Sequence, residues 1–215
     1  MIYQQQHRIS MQHRPAPGGK RRWYRISITG GQGGHADADM AKGRCSAVIP
    51  VWAILATIYN EYDFDVASIR IGQADDAIAA TADVVVCVPS GEASEFVKQQ
   101  ESMMNDWLRE EYPAETNMRC TIEKCECGER VLPTEAFEAL MTCLEQTPQG
   151  IVKVECAGGR QVEAANNVGR VCTAEDHILV TTLTCSADTE GADRLGKEIE
   201  QVFSGQGSTT TIIDR

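Results

Sequence analysis

Trp23 to Met40 reads "WYRISITGGQGGHADADM". In its first seven residues, Tyr24, Ile26 and Ile28 alternate with polar side chains, which predicts a strand over Trp23–Thr29. Four glycines then crowd a single histidine, His35. Glycine at that density costs conformational entropy, so it marks a backbone that bends sharply or approaches something closely. The imidazole offers a metal ligand, a proton carrier or a hydrogen-bond donor.

Outward from this strand and loop, the pattern repeats in alternating periods. A helix is expected from about Ser46 to Tyr59, with Pro50 tolerated in its first turn. "FDVASIRIG" (Phe64–Gly72) and "ADVVVCVP" (Ala82–Pro89) read as strands, and Ser90–Tyr112 as a long amphipathic helix with Phe96, Met103, Met104, Trp107 and Leu108. "MRCTIEKCE" (Met118–Glu126) is again a strand. The order β-α-β-β-α-β is the ferredoxin-like unit, a four-stranded antiparallel sheet with two helices on one face.

The second half is similar. Pro133–Gln146 reads as a helix, "IVKVE" and "VEAANNVGRVCTA" as short strands, "HILVTTLTCSA" as a strong strand, Glu190–Phe203 as a helix and "TTTIID" as a closing strand. The expected class is therefore α+β. Two duplicated ferredoxin-like halves, residues 23–127 and 128–215, share an antiparallel sheet with helices on one face. Residues 1–22 read as a basic tail or edge segment.

Composition narrows the function classes. The 215 residues are 42% hydrophobic and 24% charged, ordinary for a globular domain. No apolar run approaches the roughly 20 residues of a membrane span, and the polar N-terminus lacks a secretory core, so no membrane partner is expected. The first 25 residues hold six basic and no acidic side chains, leaving 14 basic against 31 acidic elsewhere, a balance of −17. That acidic body argues against nucleic acid as a partner. The nine cysteines sit mostly in apolar runs, as small buried hydrophobes do in a reducing compartment such as the cytoplasm. Cys120, Cys125 and Cys127 cluster without a Cys-x-x-Cys pair, a second knuckle or a nearby histidine, so structural zinc is not expected.

Motifs for chemistry are sparse. The chain has no Gly-x-Gly-x-x-Gly at a helix start, no Walker loop and no Gly-x-Ser-x-Gly elbow. His35, Asp37 and Asp39 could hold calcium in a loop more readily than zinc. On local grounds a histidine and acids on an exposed turn stays open as the plainer reading.

"ISITGGQGGHADADMAKGRCSA" resembles the strand, Gly-Gly-His-Ser-Gly-like loop and helix of the aminoacyl-histidine dipeptidases. These are zinc enzymes of the superfamily of carnosinase and carboxypeptidase G. "TPQGIVKVECAGGRQVEAANNVGRVCTAEDHILVTTLTCSA", about 110 residues on, resembles a later part of the same region, with a Thr-Pro-x-Gly turn before an asparagine-bearing strand. The resemblance covers Trp23 to Arg215 and implies the lid and dimerisation domain of such an enzyme. It implies that His35 is catalytic, donating a hydrogen bond to the oxyanion, and that Asn166 or Asn167 faces a dipeptide substrate. It further implies a homodimer, and a separate catalytic domain, absent from this sequence, that carries the zinc; this chain itself is expected to hold no metal and to be inactive alone.

Two departures stand against the family pattern. Asp75 and Asp76 occupy positions where the family has arginine and asparagine, and Cys185 stands where it has an arginine before serine. Acids in place of bases repel a substrate carboxylate. A free-standing, non-catalytic ferredoxin-like binding or assembly module is the alternative.

Overall fold

The computed structural model describes residues 2–36, 38–39, 42–126 and 128–214. Asp37 and Cys127, weighed above as metal ligands, lie outside the described residues. In chain order the strands and helices are β1 (Ile2–Ser10), β2 (Arg14–Pro15), β3 (Arg21–Thr29), α1 (Val48–Glu61), β4 (Asp65–Ile71), β5 (Ala82–Pro89), α2 (Glu92–Glu111), β6 (Arg119–Lys124) and β7 (Arg130–Val131). They continue with α3 (Thr134–Gln146), β8 (Gly150–Glu155), β9 (Gln161–Thr173), β10 (His177–Cys185), α4 (Thr189–Gly205) and β11 (Thr209–Asp214).

The period-2 pattern of β3 does what it predicts. Tyr24, Ile26 and Ile28 are buried in the main core while Arg25 stays exposed, paired with Asp83 on β5 at 2.8 Å. β3, β4, β5 and β6 pair antiparallel in the order β6-β3-β5-β4, the ferredoxin-like order. Pro50 sits in the first turn of α1, where its missing N–H costs nothing.

The second half has the same order, β11-β1-β10-β9, with β8 added as a hairpin arm on β9. Its first strand is β1. The expectation of a tail or edge segment over residues 1–22 is thus overturned for Ile2–Ser10, which runs between β10 and β11. The physical reason lies in its buried face, where Tyr3, Gln5, His7 and Ile9 are all nearly inaccessible. Two of these four are polar, so the alternation does not read as apolar. His7 stacks on Phe203 of α4 with ring centroids 3.8 Å apart, and its ring nitrogens meet the hydroxyls of Thr210 and Thr182. The chain between β1 and α3 carries the whole of the other half, so one ferredoxin-like unit is inserted within the other. β9, expected as a short strand, runs 13 residues.

The halves meet through β4 and β9, which share only the register pairs Arg70↔Cys172 and Ile71↔Val171. Gly72 closes this seam. Its φ is +69°, and a Cβ there would lie 1.9 Å from the carbonyl oxygen of Gly169. The helices form one layer over the sheet, in the order α2, α1, α3, α4, and contribute Val51, Ile54, Leu55, Val97, Leu140, Leu195 and Ile199 to the core. On the other face the β2–β7 ribbon helps cover a small cluster around Trp23, Cys87 and Val131. The fold is α+β, as the sequence predicts.

Candidate functional site

The described residues of the loop after β3 are fastened at several points. Glu115, 5% exposed, accepts the backbone N–H of Gln32 at 2.9 Å and of Cys45 at 3.1 Å, so one buried carboxylate ties both limbs together. The loop also borders the segment before β5. Ile78 N–H donates to Gly34 O at 2.9 Å, Ala36 N–H donates to Asp76 O at 3.3 Å, and His35 forms a β-bridge with Ala77. At Gly34, φ is +125° and a Cβ would lie 2.5 Å from Asp39 Oδ2. This close approach lets the His35 N–H reach the Asp39 carboxylate at 2.9 Å. The Lys42 ammonium, at 2.6 Å, together with that N–H holds the Asp39 carboxyl below the usual carboxylate range. Asp39 is therefore engaged in the turn, which leaves it a poor calcium ligand.

His35 itself is exposed. The backbone around it is bonded at Gly34, His35 and Ala36, while the imidazole projects from a fixed turn. Such an arrangement can present one hydrogen-bond donor at little reorganisation cost.

The two asparagines part company. Asn166 is fully buried, donating from Nδ2 to Pro148 O at 2.7 Å and accepting from the Thr184 hydroxyl at 3.1 Å. Asn167, 1% exposed, donates from Nδ2 to Ala77 O at 2.9 Å. Since Ala77 bridges to His35, the structure joins Asn167 and His35 through one residue and leaves Asn166 apart from them. Asp76 contributes its backbone beside the same bridge, and Asp75 lies 3.7 Å from the Arg170 guanidinium. Cys185 sits on β10 opposite Ile2, in a shallow depression shared with Ile151, Glu163 and Ala165. Sequence reasoning missed Glu115 and Gln149. An acid and an amide in loops carry no periodic signal, and only their partners reveal them.

Among the described residues one group, Cys156, Asp188 and Glu190, brings three metal-capable atoms within 4.8 Å of one another. Its acceptors are already taken. The Arg160 guanidinium pairs with Asp188 and, at 3.0 Å, with Glu190. Asp188 also caps Gly191 N–H, and Glu190 accepts Ala157 N–H. The residues do not fit a zinc centre, which needs about three or four free donors. Cys45, Cys87, Cys120, Cys125, Cys143, Cys156 and Cys172 are free thiols, and burial pushes those of Cys45, Cys120 and Cys143 up to about 12, the behaviour of inert core residues. No described helix is long and apolar enough to cross a membrane.

No protein-family model and no curated protein sequence matches the chain. Among solved structures, an aminoacylhistidine dipeptidase from Vibrio alginolyticus aligns with a TM-score of 0.88 at 20% identity, over 99% of this chain and 43% of that one. At that identity the likeness is one of fold. This chain spans less than half the length of the Vibrio enzyme. An amidase of the hydantoinase/carbamoylase family from Burkholderia multivorans aligns at a TM-score of 0.37 and 15% identity, over 67% of this chain and 34% of that one. An aminobenzoyl-glutamate utilization protein from Klebsiella pneumoniae aligns at 0.38 and 12%, over 60% and 34%.

Proposed function

We propose that this chain is the lid domain of an aminoacyl-histidine dipeptidase-like hydrolase and that it presents His35 to the carbonyl under attack. The observation that supports this most is an exposed histidine, bridged to Ala77 in the loop after β3, within a chain that matches a domain of the Vibrio dipeptidase along 99% of its length. In this reading the imidazole donates a hydrogen bond to the oxyanion that forms when a dipeptide carbonyl is attacked. Asn167 supports it from behind by fixing Ala77. Zinc in this reading would be held by the catalytic domain of an intact dipeptidase, where it would activate the attacking water. The partners are a catalytic domain, in the same or another polypeptide, and a dipeptide. The buried free thiols of Cys45, Cys87, Cys120 and Cys143 suit a reducing compartment such as the cytoplasm.

The homodimer belongs to the same proposal. β4 and β9 are already paired within the chain; among the described residues the sheet ends at β6 and β11, with β8 as a side arm on β9, and β11 exposes Ile212 and Ile213. Light scattering at micromolar concentration should return twice 23.5 kDa. A monomer would remove dimerisation from the reading.

One observation favours a second reading. Asp75, Asp76 and Cys185 replace the polar and basic groups of the family pattern, which suits a non-catalytic binding module. Exchanging the corresponding domain of the Vibrio enzyme for this chain separates the two. Hydrolysis of Xaa-His dipeptides by a folded, zinc-loaded chimera supports the lid. A folded, zinc-loaded chimera without turnover supports the module.

A further inference from the structure

The negative charge of this molecule is gathered on its helix layer. The four helices carry 14 acidic and four basic side chains, a balance of −10 against −11 for the whole chain. α1 and α3 are neighbours in that layer, one from each half, and neither contains a lysine, arginine or histidine. Between them lies a groove of about 260 Å³. Its walls follow helical spacing, with Trp52, Ala56 and Tyr59 from α1 opposite Phe137, Met141 and Glu145 from α3. That spacing makes it roughly two helical turns long, about 10–12 Å. Tyr59 is 44% exposed and Trp52 half-buried, so aromatic surface faces solvent here. The Trp52 indole N–H donates to Met141 O at 3.3 Å and ties the two walls together. On the rim, Glu138 accepts the Tyr59 hydroxyl. Among the described residues no acid of α1 or α3 is in an ion pair.

Aromatic and methionine side chains beside carboxylates without cations suit a partner that carries positive charge on an apolar body. A Lys or Arg head over an exposed Trp or Tyr face gains cation–π attraction, and the carboxylates add to it. The groove is smaller than the roughly 300–1,000 Å³ of small-molecule sites, so it suits the anchoring side chains of something larger. Two helical walls with an apolar floor match the way an amphipathic helix lies in a groove. We propose that the groove between α1 and α3 is the docking site for an amphipathic helix of another protein, with aliphatic anchors on one face and Lys or Arg along its flanks. A second copy is a poor occupant, because contact between these faces sets −10 against −10. An anionic lipid surface is repelled in the same way. The chain's own bases do not supply the cations, since Arg14 and Arg21, on the other side of Tyr59, both pair with buried Asp65. His35 is not part of the groove, so the inference stands apart from the lid reading.

The test titrates ¹⁵N-labelled protein with a synthetic amphipathic Leu/Lys helix of about five turns and follows the Trp52 indole N–H signal. Two further peptides serve as controls, one of the same composition in scrambled order and one with Glu in place of Lys. The amphipathic peptide should bind one-to-one in the micromolar range, at least tenfold more tightly than the scrambled one, and the Glu peptide should not bind. Glu138→Gln combined with Glu145→Gln should weaken binding at least tenfold. Glu110→Gln combined with Glu111→Gln removes equal charge from exposed positions of α2 and should weaken it less than about twofold. Ala56→Gln fills the groove without changing its charge and should also cost at least tenfold. If Ala56→Gln does not fold, the two glutamine pairs carry the test. Any of four results overturns the proposal: no saturable shift up to about 1 mM peptide; scrambled peptide binding as tightly; equal loss from the α2 pair, the mark of diffuse charge attraction; or a Trp52 shift on concentrating the protein alone, which would give the groove to a second copy.

Discussion

The half built from β3, α1, β4, β5, α2 and β6 is one unbroken run of chain, whereas the other half takes its first strand from the N-terminus and its remaining elements from beyond Val131. Both arrive at the same strand order. The first can form from contacts near in sequence. The second must bring β1 to β10 across pairs such as His7↔Val180, with the other half folded in the intervening loop. Their helix-facing sides differ too. Tyr24, Ile26 and Ile28 line the first with mostly apolar surface, while Gln5, His7, Thr182 and Asn166 place polar groups within the second. Identical topology therefore does not imply equal robustness. The inserted half should be the more self-sufficient one.

Removing residues 1–12 breaks this comparison most severely. It strips β10 and β11 of their shared partner and uncovers Phe203, so the second half should lose protection in hydrogen exchange while β3–β6 retain it. Uniform loss across both halves would show that they fold as one unit. Gly72→Ala attacks the seam instead. A Cβ 1.9 Å from Gly169 O at positive φ should cost about 2–4 kcal/mol and separate the thermal transition into two. A single transition at an unchanged midpoint would mean that the seam relaxes freely.

His7 sharpens the contrast through pH. Burial lowers its pKa from 6.5 to about 4, so the folded chain holds a neutral ring that the unfolded chain protonates. Its contribution is fully present above pH 6.5 and is lost as the pH falls toward 4, by about 3 kcal/mol in all. Urea midpoints at pH 7.5, 5.5 and 4.5 should show that decline, and His7→Gln should flatten it. An equal slope in the variant would assign the pH dependence to other groups. The smallest effect is expected at His35. It is exposed, so His35→Ala should shift stability by no more than about 0.5 kcal/mol. A larger loss would place the ring among the residues that hold the turn together.

What the sequence disclosed follows the same division. Ala82–Pro89 was legible to the residue because Val84, Val86 and Val88 alternate inward in a contiguous unit. The glycine loop was legible as a close approach, and the exposure of His35 followed from its neighbours. β1 was not legible as an interior strand, because "QQQH" presents Gln5 and His7 where a core face calls for apolar side chains. The tie between Asn167 and Ala77 was not legible either, because the two are far apart in sequence and meet only once β9 is laid beside the segment before β5.

The central claim, that the fixed turn after β3 exists to present one hydrogen-bond donor to a reacting carbonyl, is tested most directly by steady-state kinetics of His35→Ala in the dipeptidase chimera. The account predicts a kcat lower by roughly 100- to 1000-fold with KM little changed, because the bond forms chiefly in the transition state. An unchanged kcat, or a loss confined to KM, would contradict it.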